Sequence, residues 1–331
     1  MTKQSSTILL VCDATFESGS GHVMRQITLG VALKSFGLNP VLFCFSIPDG
    51  LVARAQAFGI TVLKREHRCD SPELSKEILM TDCAIAVFDG YEFTEETIGN
   101  VFDHNVRVVL IDDNGDLANF PCHLLLNQNL HADAAIYADN ESSPRLLLGL
   151  SWALIRPEVV AQIGSVTKSE KSGILLSIGG TDHLGITPVL NKALKAATNE
   201  EVVVTSGLTT GASLSPLRMA LAMSHAKIGV IACGTTMWEA ICLKLPFVGL
   251  ITAENQIRAS ESLIRFQTVH TIDVRESLNV AEIVDETLKT LQQQELGTEF
   301  SQEVDGLIDG LGSTRVAHEI NKVLTEYLEV N

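Results

Sequence analysis

The first half of the chain alternates short apolar runs with amphipathic stretches. Residues 8–12 form a continuous apolar run, residues 23–33 repeat apolar positions at helical spacing, and residues 41–45 are apolar again. This order predicts a strand, a helix and a second strand, the βαβ unit of a parallel sheet. Because the runs are continuous rather than alternating, we expect a parallel sheet covered on both faces. Further strands are predicted over residues 60–63, 84–88, 106–111, 123–126 and 146–148.

The same pattern starts again in the second half, after Arg156 and Pro157 and a polar stretch over residues 164–172. We therefore expect an N-terminal Rossmann-like domain over residues 1–157 and a C-terminal Rossmann-like domain over residues 158–331. A last helical run, over residues 304–328, could pack back on the N-terminal domain. The strands predicted for the second domain are residues 174–178, 202–205, 228–232, 247–251 and 269–272.

The length of 331 residues is sufficient for two such domains, since domains commonly contain about 100–150 residues. The formal charge of −16 argues against a nucleic-acid partner, because phosphate backbones are bound by clustered lysine and arginine. No apolar run approaches the ~20 residues of a membrane span. Residues 1–6 are polar without a secretory segment, and the seven cysteines suit a reducing compartment. We therefore expect a cytoplasmic protein, either a monomer or a weak homodimer.

The turn after the first strand combines Asp13 with glycines and a histidine. Gly19, Gly21 and His22 lead into the predicted helix. Glycines let the backbone approach a ligand closely, and a helix start offers unpaired N–H donors to an anion. A neutral imidazole at this position could act as a general base. A tight turn with a surface histidine explains the same spacing, whereas a dinucleotide fingerprint does not, because Met24 occupies its last glycine position.

Acidic residues follow two more predicted strands. One strand ends in Asp89 and is followed by Tyr91, and the next is followed by Asp112 and Asp113. Doubly wound sheets bind ligands beyond the carboxyl ends of their strands, so ligand contact is one interpretation. Capping of turns is the other. A calcium loop beginning at Asp112 is rejected, because Leu117 replaces the glycine that such a loop requires.

The second half contains two candidate cradles for a diphosphate. Thr236 and Glu239 in one of them also have the spacing of a capping box, which would stabilise the helix alone. Asn255 and Gln256, after the next strand, could contact a base or a sugar, or simply begin a helix. The cradle residues are Gly180, Thr181 and Asp182 after one strand, and Gly234, Thr235 and Thr236 before a helix.

Several other chemistries are disfavoured. The sequence has no CxxC pair and no HExxH motif, and it lacks both GxSxG and the Walker loop GxxxxGK[ST]. We therefore expect no bound metal and no cofactor. We also expect neither a serine hydrolase nor a P-loop NTPase.

Taken together, these segments resemble the PseG/SpsG family, the UDP-2,4-diacetamido-2,4,6-trideoxy-β-L-altropyranose hydrolases of pseudaminic acid synthesis, which are relatives of GT-B glycosyltransferases. The resemblance covers most of the chain. It implies a GT-B-like α/β fold with two Rossmann-like domains whose parallel sheets face a central cleft. The segments that carry it are residues 13–14, 19–25, 91, 111–113, 126–129, 148–149, 153–156, 179–182, 234–239 and 255–256.

The resemblance also implies a metal-independent, inverting reaction on a UDP-sugar. Water activated by His22 would attack the anomeric carbon and UDP would leave, with Asp13 and Tyr91 near that centre. The N-terminal domain would thus be the catalytic one. The substrate-binding residues implied on this side are Gly19, Gly21 and Arg25.

The nucleotide site implied by the resemblance lies in the C-terminal domain. Glu239 would bind the ribose hydroxyls, with Asn255 and Gln256 nearby. A carboxylate is a suitable partner for a diol because hydrogen bonds to a charged group are strong. The residues implied near the diphosphate are Gly180, Thr181 and Asp182, with Gly234, Thr235 and Thr236 at a helix start.

Two departures from the family lie on the sugar side. Val11 stands where the family commonly has an arginine, and Gly90 where it has a histidine. We therefore expect a sugar different from the family's own. Three functions stay open: a hydrolase of an amino- or acetamido-deoxy UDP-sugar in nonulosonic acid or surface polysaccharide synthesis, a glycosyltransferase with a small acceptor, and a non-catalytic nucleotide-sugar-binding protein. The presence of His22 argues against the third, which needs no base.

Overall fold

The computed structural model describes residues 7–15, 19–104, 106–180, 182–205, 215–266, 268–295 and 300–330. The chain divides into two compact units. Unit 1 contains Met1–Leu154 together with Leu311–Asn331, and unit 2 contains Ile155–Gly310. The chain therefore leaves unit 1 once and returns to it near the C-terminus.

Unit 1 is built on a sheet in which all neighbouring strands are parallel. The described residues give it seven strands: β1 (Thr7–Cys12), β2 (Asn39–Cys44), β3 (Thr61–Lys64), β4 (Ile85–Asp89), β5 (Arg107–Ile111), β6 (Leu124–Asn127) and β7 (Arg145–Leu148). Their spatial order is β3-β2-β1-β4-β5-β6-β7. The connecting helices are α1 (Gly21–Ser35), α2 (Asp49–Ala57), α3 (Glu73–Leu79) and α4 (Glu95–Phe102).

Strand β1 is buried on both faces, because successive side chains of a strand point to opposite sides of the sheet. Ile8 and Leu10 belong to the core that contains the apolar face of α1. Leu9 and Val11 belong to the core on the other face. Both faces of this strand therefore need apolar side chains, and its sequence is a continuous apolar run.

Helix α1 approaches the sheet closely at Gly30. A Cβ atom at this position would lie 2.8 Å from Ile60 Cδ1 and 3.1 Å from Leu10 Cδ1. An added methyl group would force the ends of these two side chains to shift, because the core here is packed. Gly30 thus permits close packing of α1 on the sheet.

Unit 2 is also built on a sheet in which all neighbouring strands are parallel, and this sheet is smaller. In the described part of the chain its strands are β8 (Ile174–Ser177), β9 (Val202–Val204), β10 (Ile228–Ala232), β11 (Phe247–Ile251) and β12 (His270–Asp273), in the order β12-β11-β10-β8-β9. One core of this unit contains residues from β8, β10 and β11 together with apolar residues of the flanking helices. The helices are α5 (Pro157–Val160), α6 (Thr187–Ala197), α7 (Pro216–His225), α8 (Thr235–Cys242), α9 (Ile257–Glu261), α10 (Val280–Glu295) and α11 (Phe300–Glu303).

The last helix, α12 (Gly312–Val330), belongs to unit 1, where Val316 and Ile320 are buried in the same core as α1. The prediction of one helix over residues 304–328 is wrong in its first part. The chain between α11 and α12 contains Gly306 with φ of 72° and Gly310 with φ of 80°. A right-handed helix cannot contain such backbone, so the helix begins only after these glycines.

The two sheets confirm the predicted α/β class. Within the described residues, every predicted strand overlaps an observed one, and the ends differ by no more than two residues. Such differences are the usual uncertainty of element boundaries. In the described ranges, none of the helices combines the length and the apolar character needed to cross a membrane.

His123 lies just before β6 and connects it to β5. The backbone N–H of Val108 donates to its Nδ1 at 3.1 Å, and Arg107 Nη1 lies 2.7 Å from its Nε2. Burial, and then the positive charge of Arg107, lower the pKa of His123 from the ordinary 6.5 to about 4. The folded state therefore disfavours the protonated imidazole.

We predict that protonation of His123 weakens the fold in mild acid. The unfolded chain takes up this proton near pH 6.5 and the folded chain only near pH 4, so the free energy of unfolding falls as the pH drops between these values. His123→Gln should remove a dependence of about 1–2 kcal/mol, after allowance for partial solvent screening. Urea unfolding across this pH range measures it, with the exposed His104→Gln as the control. Identical pH slopes for wild type and His123→Gln would contradict the prediction.

Candidate functional site

Helix α1 begins beyond the carboxyl end of β1 and carries His22 in its first turn. The His22 side chain is almost buried, and its Nδ1 lies 2.7 Å from Asp89 Oδ1. Asp89 is the last residue of β4, the strand beside β1, and is fully buried. An ionised carboxylate only accepts hydrogen bonds, so Nδ1 carries the proton of the neutral imidazole. Its Nε2 is therefore the nitrogen that can accept a proton.

Arg25 lies on the same face of α1, one turn beyond His22. Its Nε and Nη2 donate to the two oxygens of Asp89 at 2.7 and 2.6 Å. Its Nη1 and Nη2 donate to the two oxygens of Asp113, both at 2.9 Å. The planar guanidinium thus joins two carboxylates that come from the ends of neighbouring strands, β4 and β5.

Arg25, Asp89 and Asp113 stabilise one another in their ionised forms. Burial raises the pKa of Asp89 and of Asp113, but the charge and hydrogen bonds of Arg25, together with the neighbouring His22, outweigh it and hold both pKa values below the ordinary range. Burial lowers the pKa of Arg25, but the two carboxylates raise it by more. All three side chains are therefore ionised although they are buried.

Tyr91 joins the same group from the loop after β4. Its hydroxyl donates to Asp113 Oδ2 at 2.8 Å, and its ring meets the His22 ring edge-on with 4.7 Å between centroids. Asn129 Nδ2 donates to the other oxygen of Asp113, also at 2.8 Å. The structure thus brings three predicted site residues together. We call His22, Arg25, Asp89 and Asp113 the buried charge network, and Tyr91, which is 48% exposed, lies at its edge.

Asp13, predicted to stand near the reacting carbon, makes a different set of contacts. Its Oδ1 accepts from the backbone N–H groups of Phe45 at 2.7 Å and Ser46 at 3.0 Å, just after β2. Its Oδ2 accepts from the guanidinium of Arg65 and, at 3.1 Å, from the thiol of Cys69. These contacts tie the turn after β1 to the ends of β2 and β3. A role for Asp13 at the reaction centre stays a prediction.

Gly19 and Gly21 leave the start of α1 open. Gly19 has φ of 70°, and a Cβ added at either glycine would meet no atom within 4 Å in the described part of the chain. The residue between them, Ser20, is the N-cap of α1 but forms no capping hydrogen bond through its side chain. Binding of a ligand to the backbone at this helix start stays a prediction.

The start of α8 in unit 2 is similarly open. Gly234 is the N-cap of this helix, which has no side-chain cap among the described residues. A Cβ on Gly234 would have only Gln256 Nε2 as a neighbour within 4 Å, at 3.9 Å. Thr235 and Thr236 form the first helical turn. The N–H groups of this turn are the kind of donor that an anion binds at a helix start.

The other predicted diphosphate loop, after β8, differs because its aspartate accepts hydrogen bonds from the protein backbone. Gly180 is exposed in this turn, and Thr181 lies outside the described residues. Asp182 is buried, and its two oxygens accept from the N–H groups of Ile186 and Thr187, each at 3.1 Å. Asp182 thus satisfies two backbone N–H groups at the start of α6, although the N-cap residue of this helix is Ile186. Its carboxylate would repel a phosphate, so any proximity of Asp182 to a diphosphate stays a prediction.

Glu239 on α8 pairs with Arg156, a partner that no sequence motif predicts. Both of its carboxylate oxygens accept from the guanidinium of Arg156, through Nε and Nη2. The capping-box interpretation is wrong, because α8 begins at Thr235 and Gly234, not Thr236, is its N-cap. Burial lowers the pKa of Arg156, but the charge and hydrogen bonds of Glu239, with the charge of Glu158, raise it by more in total, so the guanidinium stays charged.

Asn255 and Gln256 lie beyond the carboxyl end of β11. Gln256 Oε1 accepts from the backbone N–H of Thr252 at 2.9 Å. A backbone N–H donates a hydrogen bond, so the Gln256 amide atom that faces it is the oxygen. The amide nitrogen Nε2 then lies on the side of Gly234. Asn255 is exposed in a short turn over Glu254–Gln256. The structure thus places the Gln256 amide donor beside the open start of α8.

The sequence did not reveal the partners that fix these groups. The pattern predicts only turn capping or ligand contact for Asp89 and Asp113, and it predicts no role for Arg156. The available signal was a buried strand that ends in aspartate, which places a charge where it has to find a partner. The described residues contain no group of three or more histidine, cysteine, aspartate or glutamate side chains placed to hold a metal ion.

Comparison of the sequence with known proteins identifies no family. No family model matches the chain. Over 275 residues the chain is 22% identical to an uncharacterized protein of Methanocaldococcus jannaschii. This match covers 75% of the chain and 56% of the other protein, so the chain spans about half the length of this relative.

Solved structures share the fold over nearly the whole chain. A complex of S. aureus MnaA with UDP has a TM-score of 0.67 at 11% identity, covering 96% of this chain and 97% of that one. A putative UDP-N-acetylglucosamine 2-epimerase from Listeria monocytogenes has a TM-score of 0.64 at 10% identity, covering 97% of each chain. The glycotransferase of kitacinnamycin has a TM-score of 0.62 at 13% identity, covering 96% and 98%. These likenesses confirm the predicted GT-B fold class.

We predict that removal of Arg156 strongly destabilises unit 2. Arg156→Ala leaves the buried carboxylate of Glu239 unpaired, and the loss of one partner of a buried ion pair typically costs about 3–5 kcal/mol. Urea unfolding measures the change. Arg275→Ala removes a more exposed ion pair with Asp273 in the same unit and should have little effect. Equally small losses in both variants would show that the Arg156–Glu239 pair contributes no more than a surface pair.

Proposed function

We propose that the protein is a UDP-sugar hydrolase in which His22 activates water for inverting attack at the anomeric carbon. The observation that carries the proposal is the buried pair of Asp89 and His22 at the carboxyl edge of the unit 1 sheet. A carboxylate that accepts from one imidazole nitrogen orients the ring and stabilises the cation formed when the other nitrogen takes a proton. No described residue hydrogen-bonds His22 Nε2, so this nitrogen is available to a substrate water.

The proposed step balances in atoms and charge. The water oxygen forms a bond to the anomeric carbon while the bond from that carbon to the departing phosphate oxygen of UDP breaks. The proton of the water passes to His22 Nε2. Attack opposite to the leaving group inverts the configuration at the carbon.

The buried charge network favours this proton transfer. With neutral His22, the charges of Asp89, Asp113 and Arg25 sum to −1, because −1, −1 and +1 remain. Protonation of His22 brings the sum to zero. A buried site of net negative charge becomes neutral in the step, and this stabilises the imidazolium that general base catalysis requires.

The assignment of UDP rests on unit 2 and on proteins of the same fold. Backbone N–H groups at the open start of α8, behind Gly234, can meet a diphosphate without adding charge to an acidic protein. Glu239 held by Arg156 still has lone pairs for the two ribose hydroxyls, because a carboxylate accepts about four hydrogen bonds. One protein of this fold has been solved with UDP, and another is named for a UDP-sugar.

In the proposed enzyme, unit 1 supplies the general base and unit 2 binds the nucleotide. The sugar we propose is an amino- or acetamido-deoxy sugar, as the resemblance to the PseG/SpsG family implies. Val11 and Gly90 remove a guanidinium and an imidazole from the sugar side, so its substituents differ from those of the family's substrate. The product would serve nonulosonic acid or surface polysaccharide synthesis.

A glycosyltransferase is the second candidate, because the fold is shared with the kitacinnamycin glycotransferase. An acceptor hydroxyl or amine needs the same base in the same place as water does. A non-catalytic binding protein is less well supported. Binding alone does not need a general base, so the buried pair of His22 and Asp89 favours an enzyme.

The experiment that tests the proposal is a panel of UDP-sugars incubated with the purified protein. We expect at least one amino- or acetamido-deoxy UDP-sugar to release UDP in water, with proton NMR showing the inverted free sugar. Release only after addition of an amine or alcohol acceptor would replace the hydrolase with the transferase. Binding of UDP without release under either condition would leave only the binding protein.

We predict that His22→Asn separates rate from binding. The amide cannot take up the proton, so kcat should fall by ~10²–10⁴, the usual contribution of a general base. The Kd for UDP, measured by calorimetry, should stay within about twofold, since Nε2 acts on the water and not on the nucleotide. His104→Asn, an exposed histidine of the same unit, should leave both unchanged. Equal losses of affinity and rate in His22→Asn would make His22 a ligand contact.

A further inference from the structure

Asp113 has no oxygen left for a substrate. Its Oδ1 accepts from Arg25 Nη1 and Asn129 Nδ2, and its Oδ2 accepts from Arg25 Nη2 and the Tyr91 hydroxyl, at 2.8–2.9 Å. A carboxylate that accepts four hydrogen bonds has its lone pairs occupied. Asp113 therefore acts through its neighbours and not on a reacting atom.

These neighbours form one connected path to the proposed base. Arg25 Nη2 donates to Asp113 on one side and to Asp89 on the other, and Asp89 accepts from His22. The guanidinium is planar, so its orientation is fixed once two carboxylates bind its edges. Without Asp113, Arg25 would be held by Asp89 alone and could rotate away from the position that keeps Asp89 against His22.

The geometry points to Asp113 as a positioning residue that, through Arg25, holds Asp89 against His22 and sets the pH range over which His22 takes up a proton. This inference rests on the proposed function only in one respect: the proton on His22 is taken to be the one that the substrate water gives up. Asp113 is one of the two negative charges that make the buried charge network net negative around a neutral His22. Replacing it with a neutral residue cancels that net charge and makes the imidazolium less favourable.

The titratable groups that face His22 come from four elements. Arg25 lies on its own helix, Asp89 at the end of β4, Tyr91 in the following loop and Asp113 beyond β5. Cys12, at the end of β1, is close to Asp89, and burial raises the pKa of its thiol well above the ordinary value, so it stays neutral. Two further titratable groups lie beside Asp113 itself. Burial, and to a smaller extent the charge of Asp113, raise the pKa of Asp112, and His131 Nε2 lies 2.9 Å from the Asp113 carbonyl oxygen.

The test is an NMR titration of the His22 imidazole in the full-length protein, with the signal identified by its absence in His22→Asn. Asp113→Asn keeps the shape and an accepting oxygen but removes the charge, and we expect the titration midpoint to fall by about one pH unit. Asp116→Asn removes an exposed carboxylate from the same turn and should leave the midpoint unmoved. An unmoved midpoint in folded Asp113→Asn would overturn the inference and make Asp113 purely structural.

Tyr91→Phe keeps the inference testable if Asp113→Asn does not fold. Phenylalanine retains the ring against His22 but removes one donor from Asp113, so the carboxylate is less neutralised and the midpoint should rise. A midpoint that does not change in this variant counts against the inference. With an active substrate, the acid limb of the kcat profile should move in the same direction as the midpoint in each variant, and KM should stay constant in Asp113→Asn.

The two proposals fail in different ways. The titration needs no substrate, so a shifted midpoint without UDP release from any sugar would sustain the role of Asp113 and refute the enzymatic function. Release of UDP that depends on His22, together with an unmoved midpoint in Asp113→Asn, would sustain the function and refute the role of Asp113.

Discussion

The structure of unit 1 depends on the pairing of one buried cation. Arg25 is 5% exposed, and an isolated charge at that depth would destabilise the fold by several kcal/mol. Asp89 and Asp113 supply its partners from the ends of two neighbouring strands. The pairing holds the start of α1 against the carboxyl edge of the sheet, and Gly30 allows the rest of the helix to approach it. His22, one turn before Arg25, is thereby held in place.

Unit 2 uses charge differently at the corresponding edge of its sheet. Its one buried ion pair at a predicted site joins Arg156 and Glu239, among the residues that the structure describes. Gly234 leaves the start of α8 without a side-chain cap. The carboxylate of Asp182 accepts hydrogen bonds from the backbone at the start of α6. The open backbone is suited to an anion because N–H groups bind phosphate without requiring a basic surface. This explains how a protein with a formal charge of −16 can be proposed to bind a diphosphate.

Both sites show why an ionisable residue in a motif cannot be assigned a role from its spacing alone. Asp13 directly follows β1 and Asp89 ends β4 in the same sheet, yet Asp13 fastens a turn through Arg65 and Asp89 contacts His22. Glu239 has the spacing of a cap and pairs instead with Arg156. In each case the role follows from which charge lies nearby in the folded chain.

The sequence by itself determined the strands, the α/β class and the edge at which chemistry should lie. A continuous apolar run is a local property, and parallel strands place their carboxyl ends together, so His22 and Tyr91 could be predicted to lie at the same edge of the sheet. Only the tertiary structure decided the partners. His22 and Asp89 are 67 residues apart, and Arg156 and Glu239 are 83 apart. Pairing at such separations depends on how the helices pack on the sheet, which no local pattern records.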